Sequence, residues 1–361
     1  MTNESRTSRA SRNRDNQHSA RHTPASRRML VLMLVMALLI GAFLFMLYPA
    51  VMVGAPDTAT IRIPKNGSEM QLRDSLTKYF GDSYASKVMR LVNFKKADLS
   101  NRYGAYKIEE GTNALTAMRK LTSGGQTPVR ITINGFRSFP ILIDRISRRL
   151  DFPADSLQAV LQDSVFLSQF GVTPSNAMVL FLDDTYELYW TATPREAVEK
   201  IARSYKFFWD ADNRTRAAML GLLPAQAVTL ASIVDEETNN VEEKPTIARL
   251  YINRLHKGMK LQADPTVRFA LSDYSIRRIK KEHLQVNSPY NTYLHAGLPP
   301  GPIRTTSTAT LYNILHSEPN DYLYMCAKED FSGTHNFAST FAEHQQNAMR
   351  YRAALDARGI K

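Results

Sequence analysis

The chain has 361 residues, 43% of them hydrophobic, with 46 lysines and arginines against 34 acids for a formal charge of +12. That length and apolar content suffice for two folded domains with real cores and exclude a disordered or fibrous chain. One cysteine, Cys326, excludes an internal disulfide, so a fold outside the cytoplasm must stand on burial alone.

The first 28 residues hold seven arginines against Glu4 and Asp15, with almost no large apolar side chain, which predicts a disordered tail. From Met29 to Tyr48 run twenty residues without a charge. As a helix, that length matches the roughly 30 Å hydrocarbon core of a bilayer. Arg27 and Arg28 abut its start and no base follows up to Pro56, so the positive-inside rule keeps the tail cytoplasmic and the rest extracytoplasmic. A cleaved signal would end its shorter apolar core in small residues, whereas this run ends in Phe45, Met46, Leu47 and Tyr48. The expectation is one uncleaved span in the plasma (inner) membrane, with the folded part periplasmic. The arginines lack interleaved aromatics and a folded motif, so no nucleic acid is expected as a partner.

After the linker, short strands alternate with helices. Thr60 to Ile63 reads as a strand before a helix from Glu69 to Phe80, and Ala105 to Ile108 as a strand before a helix from Ala114 to Leu121. Val129 to Ile133 leads through Asn134-Gly135 into a helix ending near Leu150. These units predict a small α+β module over 57–150, sugar-binding or scaffolding. Residues 151–177 read as a helical connector, and Met178 to Tyr189 as a strand pair turning at Asp183-Asp184. Pro194 to Trp209 reads as a helix with Thr193 at its N-cap and Pro194 in its first turn. The remainder is predicted mainly helical, broken by the irregular loop Gly297 to Pro302.

Pro224 to Thr238 (PAQAVTLASIVDEET) reads as a helix with Leu230, Ile233 and Val234 on its apolar face and three acids at its end. At 100° per residue Glu237 lies about 20° from Leu230 and so on the buried stripe. Asp235 and Glu236 fall about 100° and 160° from Val234, at the margin and in solvent. A carboxyl aimed at an apolar wall is disfavoured as the anion, so its pKa rises, as a general acid requires near neutral pH. The bland reading is a solvated helix end, although acids there oppose the macrodipole by roughly 0.3–1 kcal/mol each.

The block Leu230 to Glu237 is followed by Tyr251-Ile-Asn-Arg-Leu255, Gly258-Met-Lys-Leu-Gln262, Asp264-Pro-Thr-Val267, Tyr290-Asn-Thr-Tyr293, Gly297-Leu-Pro-Pro-Gly-Pro-Ile303 and Gly333-Thr-His-Asn-Phe337. In order and spacing these seven blocks resemble the endolytic murein transglycosylase family, also termed YceG-like. Asp184-Thr-Tyr186 is similar to the family's upstream turn, and Gly104-Ala-Tyr106 with Glu110-Gly111 to its LysM-like module. The resemblance implies an α+β protein with an N-terminal transmembrane helix (29–48), a LysM-like module (57–150) and a mainly helical α+β catalytic domain (178–361). It implies cleavage of the β-1,4 bond between N-acetylmuramic acid and N-acetylglucosamine inside glycan strands, leaving 1,6-anhydro ends, and association with peptidoglycan synthases, the penicillin-binding proteins. The family usually has glutamate at both acidic positions; here they are Asp235 and Glu237, and the helical geometry favours Glu237 as catalytic.

One acid suffices if the sugar's own C6 hydroxyl attacks the anomeric carbon, because Glu237 then serves first as acid and afterwards as base. No cofactor is required. Gln262, Asp264, Thr266, Tyr290 and Asn291 match family blocks and are candidates for binding the sugar. Each has a bland alternative. Asp264-Pro265 is also a helix entry with Asp264 as N-cap, Tyr290 and Tyr293 suit a core, Asn253 suits a bridge between elements, and His335 suits either a sugar contact or a backbone bond. The eight histidines show no paired-ligand spacing, and nucleophile-elbow and phosphate-loop motifs are absent, so no metal is expected. Cys326, in an apolar strand-like run, is expected to be buried and inert. Two further readings stay open: a lysozyme-like muramidase pairing Glu237 with Asp264 or Asp235, and a non-catalytic wall-binding scaffold.

Overall fold

A computed structural model describes residues 24–65, 67–99, 102–276 and 278–359; most of the expected disordered tail, residues 1–23, lies outside them. The first third runs α1 (Pro24–Met52), β1 (Ala59–Ile63), α2 (Glu69–Phe94), β2 (Gly104–Ile108) and α3 (Ala114–Ser123), with β1 paired to β2. Helix α1 contains the whole apolar run 29–48. Among the described residues no single helix is long and apolar enough to cross a membrane; the side chains at 43, 44, 46 and 47 of that run lie outside them. Gly81, at φ 79°, breaks α2 where the sequence ends its helix, because a Cβ disfavours that conformation.

The chain divides into two compact units, one of residues up to 59, 69–98 and 108–123, the other of 60–68, 99–107 and 124–361. In the first, α3 packs on α2, and backbone bonds tie the linker at Val53 and Ala55 to Gly111, Thr112 and Ala114.

The second unit continues with β3 (Val129–Ile133), α4 (Phe139–Ser147), α5 (Ala154–Gln162), α6 (Ser164–Ser168), a 3-10 segment over Pro174–Leu180, β4 (Asp184–Leu188), α7 (Pro194–Phe208) and α8 (Ala211–Met219). It closes with α9 (Pro224–Glu237), α10 (Lys244–His256), α11 (Asp264–Leu271), α12 (Thr308–Leu315), β5 (Tyr324–Ala327), β6 (His335–Ala338) and α13 (Phe341–Ala357). The result is a helix-rich α+β protein whose described strands form three separate two-stranded sheets.

One expectation from sequence changes here. The run 178–189 is no hairpin: its first three residues belong to the 3-10 segment and β4 pairs antiparallel with β3, Ile131 opposite Tyr186. The turn residue Asp183 is instead half-buried as an acceptor for the Gly135 amide at 2.9 Å and the Thr305 hydroxyl. Both paired strands, 129–133 and 184–188, lie in the second compact unit. Helix α7 starts as its sequence dictates, with a reciprocal capping box between Thr193 and Glu196.

Helix α9 runs through the core of the second unit. Its residues from Ala227 to Asp235 are all buried, against α10, α11 and α12 among others. Leu230, Ile233 and Val234 are fully enclosed, each contributing about 1.5–3 kcal/mol. Burial on every side replaces the single apolar stripe read from periodicity.

Candidate active site

Helix α9 delivers its last residue, Glu237, to the wall of a cleft of about 400 Å³. Helix α10 lines the cleft with Tyr251 and Arg254, the turn before α11 with Leu261 and Gln262, and α11 with Asp264. Tyr293 faces it from the following loop, and Tyr324, Cys326 and His335 line it from the β5–β6 pair.

The Tyr251 hydroxyl donates to Glu237 Oε1 at 2.6 Å. Burial pushes the Glu237 carboxyl up to about 7; the Tyr251 bond opposes this, and the charge of Asp264 adds to the rise. A carboxyl poised there holds a proton at neutral pH and loses it readily, which suits a group that must act as acid and then as base. Asp264 Oδ1 accepts from the Tyr293 hydroxyl at 2.6 Å, and burial raises the Tyr293 phenol.

Asp235 and Glu236 are not in solvent. Asp235 is 9% exposed and accepts from Lys244 Nζ at 2.6 Å, Thr310 Oγ1 at 2.8 Å and the Thr306 hydroxyl. Its carboxylate locks α9 to α10 and α12 and takes no part in the cleft lining. Glu236 accepts from Arg137 at 2.7 Å and Arg304 at 3.0 Å. Helical spacing alone does not show the polar partners of the surrounding elements, which make burial of these acids tolerable.

The sugar-binding candidates divide. Gln262, Asp264 and His335 reach the cleft beside Glu237. Gln262 adopts φ 54°, rare outside glycine, while its amide donates to the Thr292 carbonyl and its side chain accepts from Arg254. Asp264 does not cap α11; Ala263 holds that position, because Asp264 already lies inside the helix and spends its carboxylate on Tyr293. Thr266 is fully buried, its hydroxyl bonded to the Ala263 carbonyl and Thr292. Asn291 is also fully buried, donating to the carbonyls of Leu284 and Val286 to pin the loop. Tyr290 packs on Phe269 at 4.6 Å between ring centres. These three shape the support of the cleft rather than its surface, because short polar groups in a tightly folded loop satisfy backbone first.

Sequence reasoning passed over Tyr251 and Arg254. Arg254 donates to the carbonyls of Leu323, Lys260 and Leu261, and its guanidinium lies 5.4 Å from the Tyr324 ring centre. Both stand in the Tyr251-Ile-Asn-Arg block; their offset of three places, which puts them on one helix face, was the available signal. Asn253 bridges as expected, donating to the Asn320 and Tyr322 carbonyls. Cys326 is half-buried in the cleft wall rather than enclosed, and burial raises its thiol pKa. Among the described residues no cluster of histidine, cysteine and acids could hold a metal ion.

The YceG-like family model matches residues 61–350. An endolytic murein transglycosylase of Bacillus subtilis is 28% identical over 332 residues, covering 86% of this chain and 90% of the relative. A Streptococcus pneumoniae protein of the same name is 22% identical over 284 residues, 69% of this chain and 50% of its own length. The crystal structure of a YceG-like protein from Listeria monocytogenes superposes with a TM-score of 0.52 at 25% identity, covering 80% of this chain and 98% of that one. With the family model spanning most of its length, the chain belongs to the YceG-like family.

Proposed function

We propose that this protein is an endolytic lytic transglycosylase that cuts the β-1,4 bond between N-acetylmuramic acid and N-acetylglucosamine within peptidoglycan strands, leaving 1,6-anhydro ends. The observation that carries the reading is Glu237, a cleft carboxyl raised to about 7, in a chain similar along 86% of its length to a named murein transglycosylase. Neutral Glu237 gives its proton to the glycosidic oxygen as the C1–O bond breaks. The carboxylate left behind takes the proton of the C6 hydroxyl as that oxygen bonds to C1, so the acid is restored and no water is consumed. Tyr251 keeps one carboxyl oxygen occupied as an acceptor, which leaves the other for the sugar. The half-buried ring of Tyr293 lines the cleft and suits an apolar pyranose face.

In this proposal α1 anchors the protein in the plasma membrane with its tail cytoplasmic, the module after the linker is LysM-like, and cleavage terminates strands made by penicillin-binding synthases. The order β1, a helix broken at Gly81, then β2 supports the LysM-like reading. Asp264 in the same cleft favours a second reading, a muramidase with two carboxylates. Mass spectrometry of uncrosslinked glycan digested by the full chain separates them. Anhydro ends are expected; reducing ends would establish hydrolysis, and undigested glycan would leave only a binding protein.

A further inference from the structure

Outside the residues that line the cleft, one buried acid is aimed at a residue that does. Glu243 stands at the N-cap position of α10, yet its side chain does not cap that helix. Its Oε1 accepts the backbone amide of His335 at 2.7 Å, and its Oε2 lies 3.1 Å from His335 Nδ1 and 3.4 Å from the Thr238 hydroxyl. Both side chains are largely enclosed, His335 at 16% and Glu243 at 12% exposure.

A carboxylate only accepts, so Nδ1 must be the donor in this pair. A neutral imidazole then carries its single hydrogen on Nδ1 and leaves Nε2 as a bare acceptor. Among the described residues Nε2 has no protein partner, and it is not among the buried orphan atoms, so it is open to a ligand while the ring lines the cleft. The second bond, from the His335 amide to the same carboxylate, fixes the ring's attachment point as well as its tautomer. Thr238 follows Glu237 directly, so Glu243 ties the end of the α9 helix to β6 across the cleft.

We propose that Glu243 is a positioning residue that holds His335 as the Nδ1–H tautomer, so that Nε2 accepts a hydrogen bond from a sugar hydroxyl of the bound strand. This deepens the transglycosylase reading and rests on it. A pure strand tie would need the backbone bond alone and would be indifferent to which ring nitrogen carries hydrogen.

The isosteric change Glu243→Gln separates the two roles. The glutamine oxygen can still accept from the His335 amide, but its NH2 group then faces Nδ1 and donates, which reverses the tautomer and turns Nε2 from acceptor into donor. The test is 15N NMR of the full chain labelled at histidine, with the His335 signals assigned by their loss in His335→Gln, beside steady-state kinetics on uncrosslinked glycan. The wild type is expected to show unprotonated Nε2, and Glu243→Gln to show the reversed tautomer with kcat/KM lower by about tenfold, the worth of one hydrogen bond. Glu243→Asp, which keeps an acceptor, should restore the wild-type tautomer and part of the rate. A protonated Nε2 in wild type, or Glu243→Gln kinetics within twofold of wild type, would overturn the proposal. If Glu243→Gln does not fold, the wild-type tautomer and the kinetics of His335→Gln decide it, with an unaltered rate counting against. Wild-type protein that cleaves no glycan defeats the transglycosylase reading, whereas an active wild type with an indifferent Glu243→Gln defeats only this one.

Discussion

Desolvation raises the Glu237 pKa, the Tyr251 hydroxyl bond lowers it, and desolvation prevails to leave about 7. A general acid is loaded only while protonated, so kcat/KM on glycan should hold below that value and fall as pH rises through it. Removing the hydroxyl in Tyr251→Phe withdraws a bond that favours the charged form. The pKa then rises further, and the falling limb should move to higher pH by about one unit, the worth of one hydrogen bond. A pH profile of both proteins checks this; a limb that stays put or moves down contradicts it. At this scale the sequence made Glu237 legible, because its position seven after Leu230 survives any detail of packing. Tyr251 was not legible as its partner, since that contact spans two helices and no local spacing encodes it. Thr266 and Asn291 are fully buried: motif blocks include residues that hold a loop as well as residues that face a cleft, and spacing alone does not separate them.

Helix α9 keeps its register at the cleft through Asp235, two residues before Glu237. Asp235 gathers Lys244 of α10 and Thr310 of α12 with Thr306 of the preceding loop, and Thr305 in that loop bonds Asp183. Removing the acid leaves an enclosed lysine without its counter-charge, the costly half of a buried pair. Asp235→Ala should therefore lose about 3 kcal/mol of stability, seen as a lower urea midpoint. Glycan cleavage per folded molecule should remain within an order of magnitude, since Asp235 does not line the cleft. A variant as stable as wild type but inactive would instead make Asp235 the reacting group. Element types were readable where local chemistry decides them, as in the Thr193 capping box and the Gly81 break. The β3–β4 pairing was not, because its partners lie some fifty residues apart and MVLFLDDTYELY satisfies a hairpin pattern locally.

For the whole molecule, α1 carries the apolar run that the proposal places in a membrane, and its described side chains from Met29 to Met36 are exposed. Deleting residues 1–48 should move the protein from sedimenting membranes to the soluble fraction, with cleavage of soluble glycan retained; full-length chain that is already soluble contradicts an anchor. The expectation of an anchor rests on charge asymmetry and apolar length, which composition specifies without long-range contacts. The central claim concerns one proton on one side chain. Turnover of uncrosslinked glycan by Glu237→Gln, measured beside wild type and with the fold checked by circular dichroism, should fall by about 10²–10⁴-fold, the usual worth of a general acid. A folded Glu237→Gln that cleaves at the wild-type rate would contradict the account.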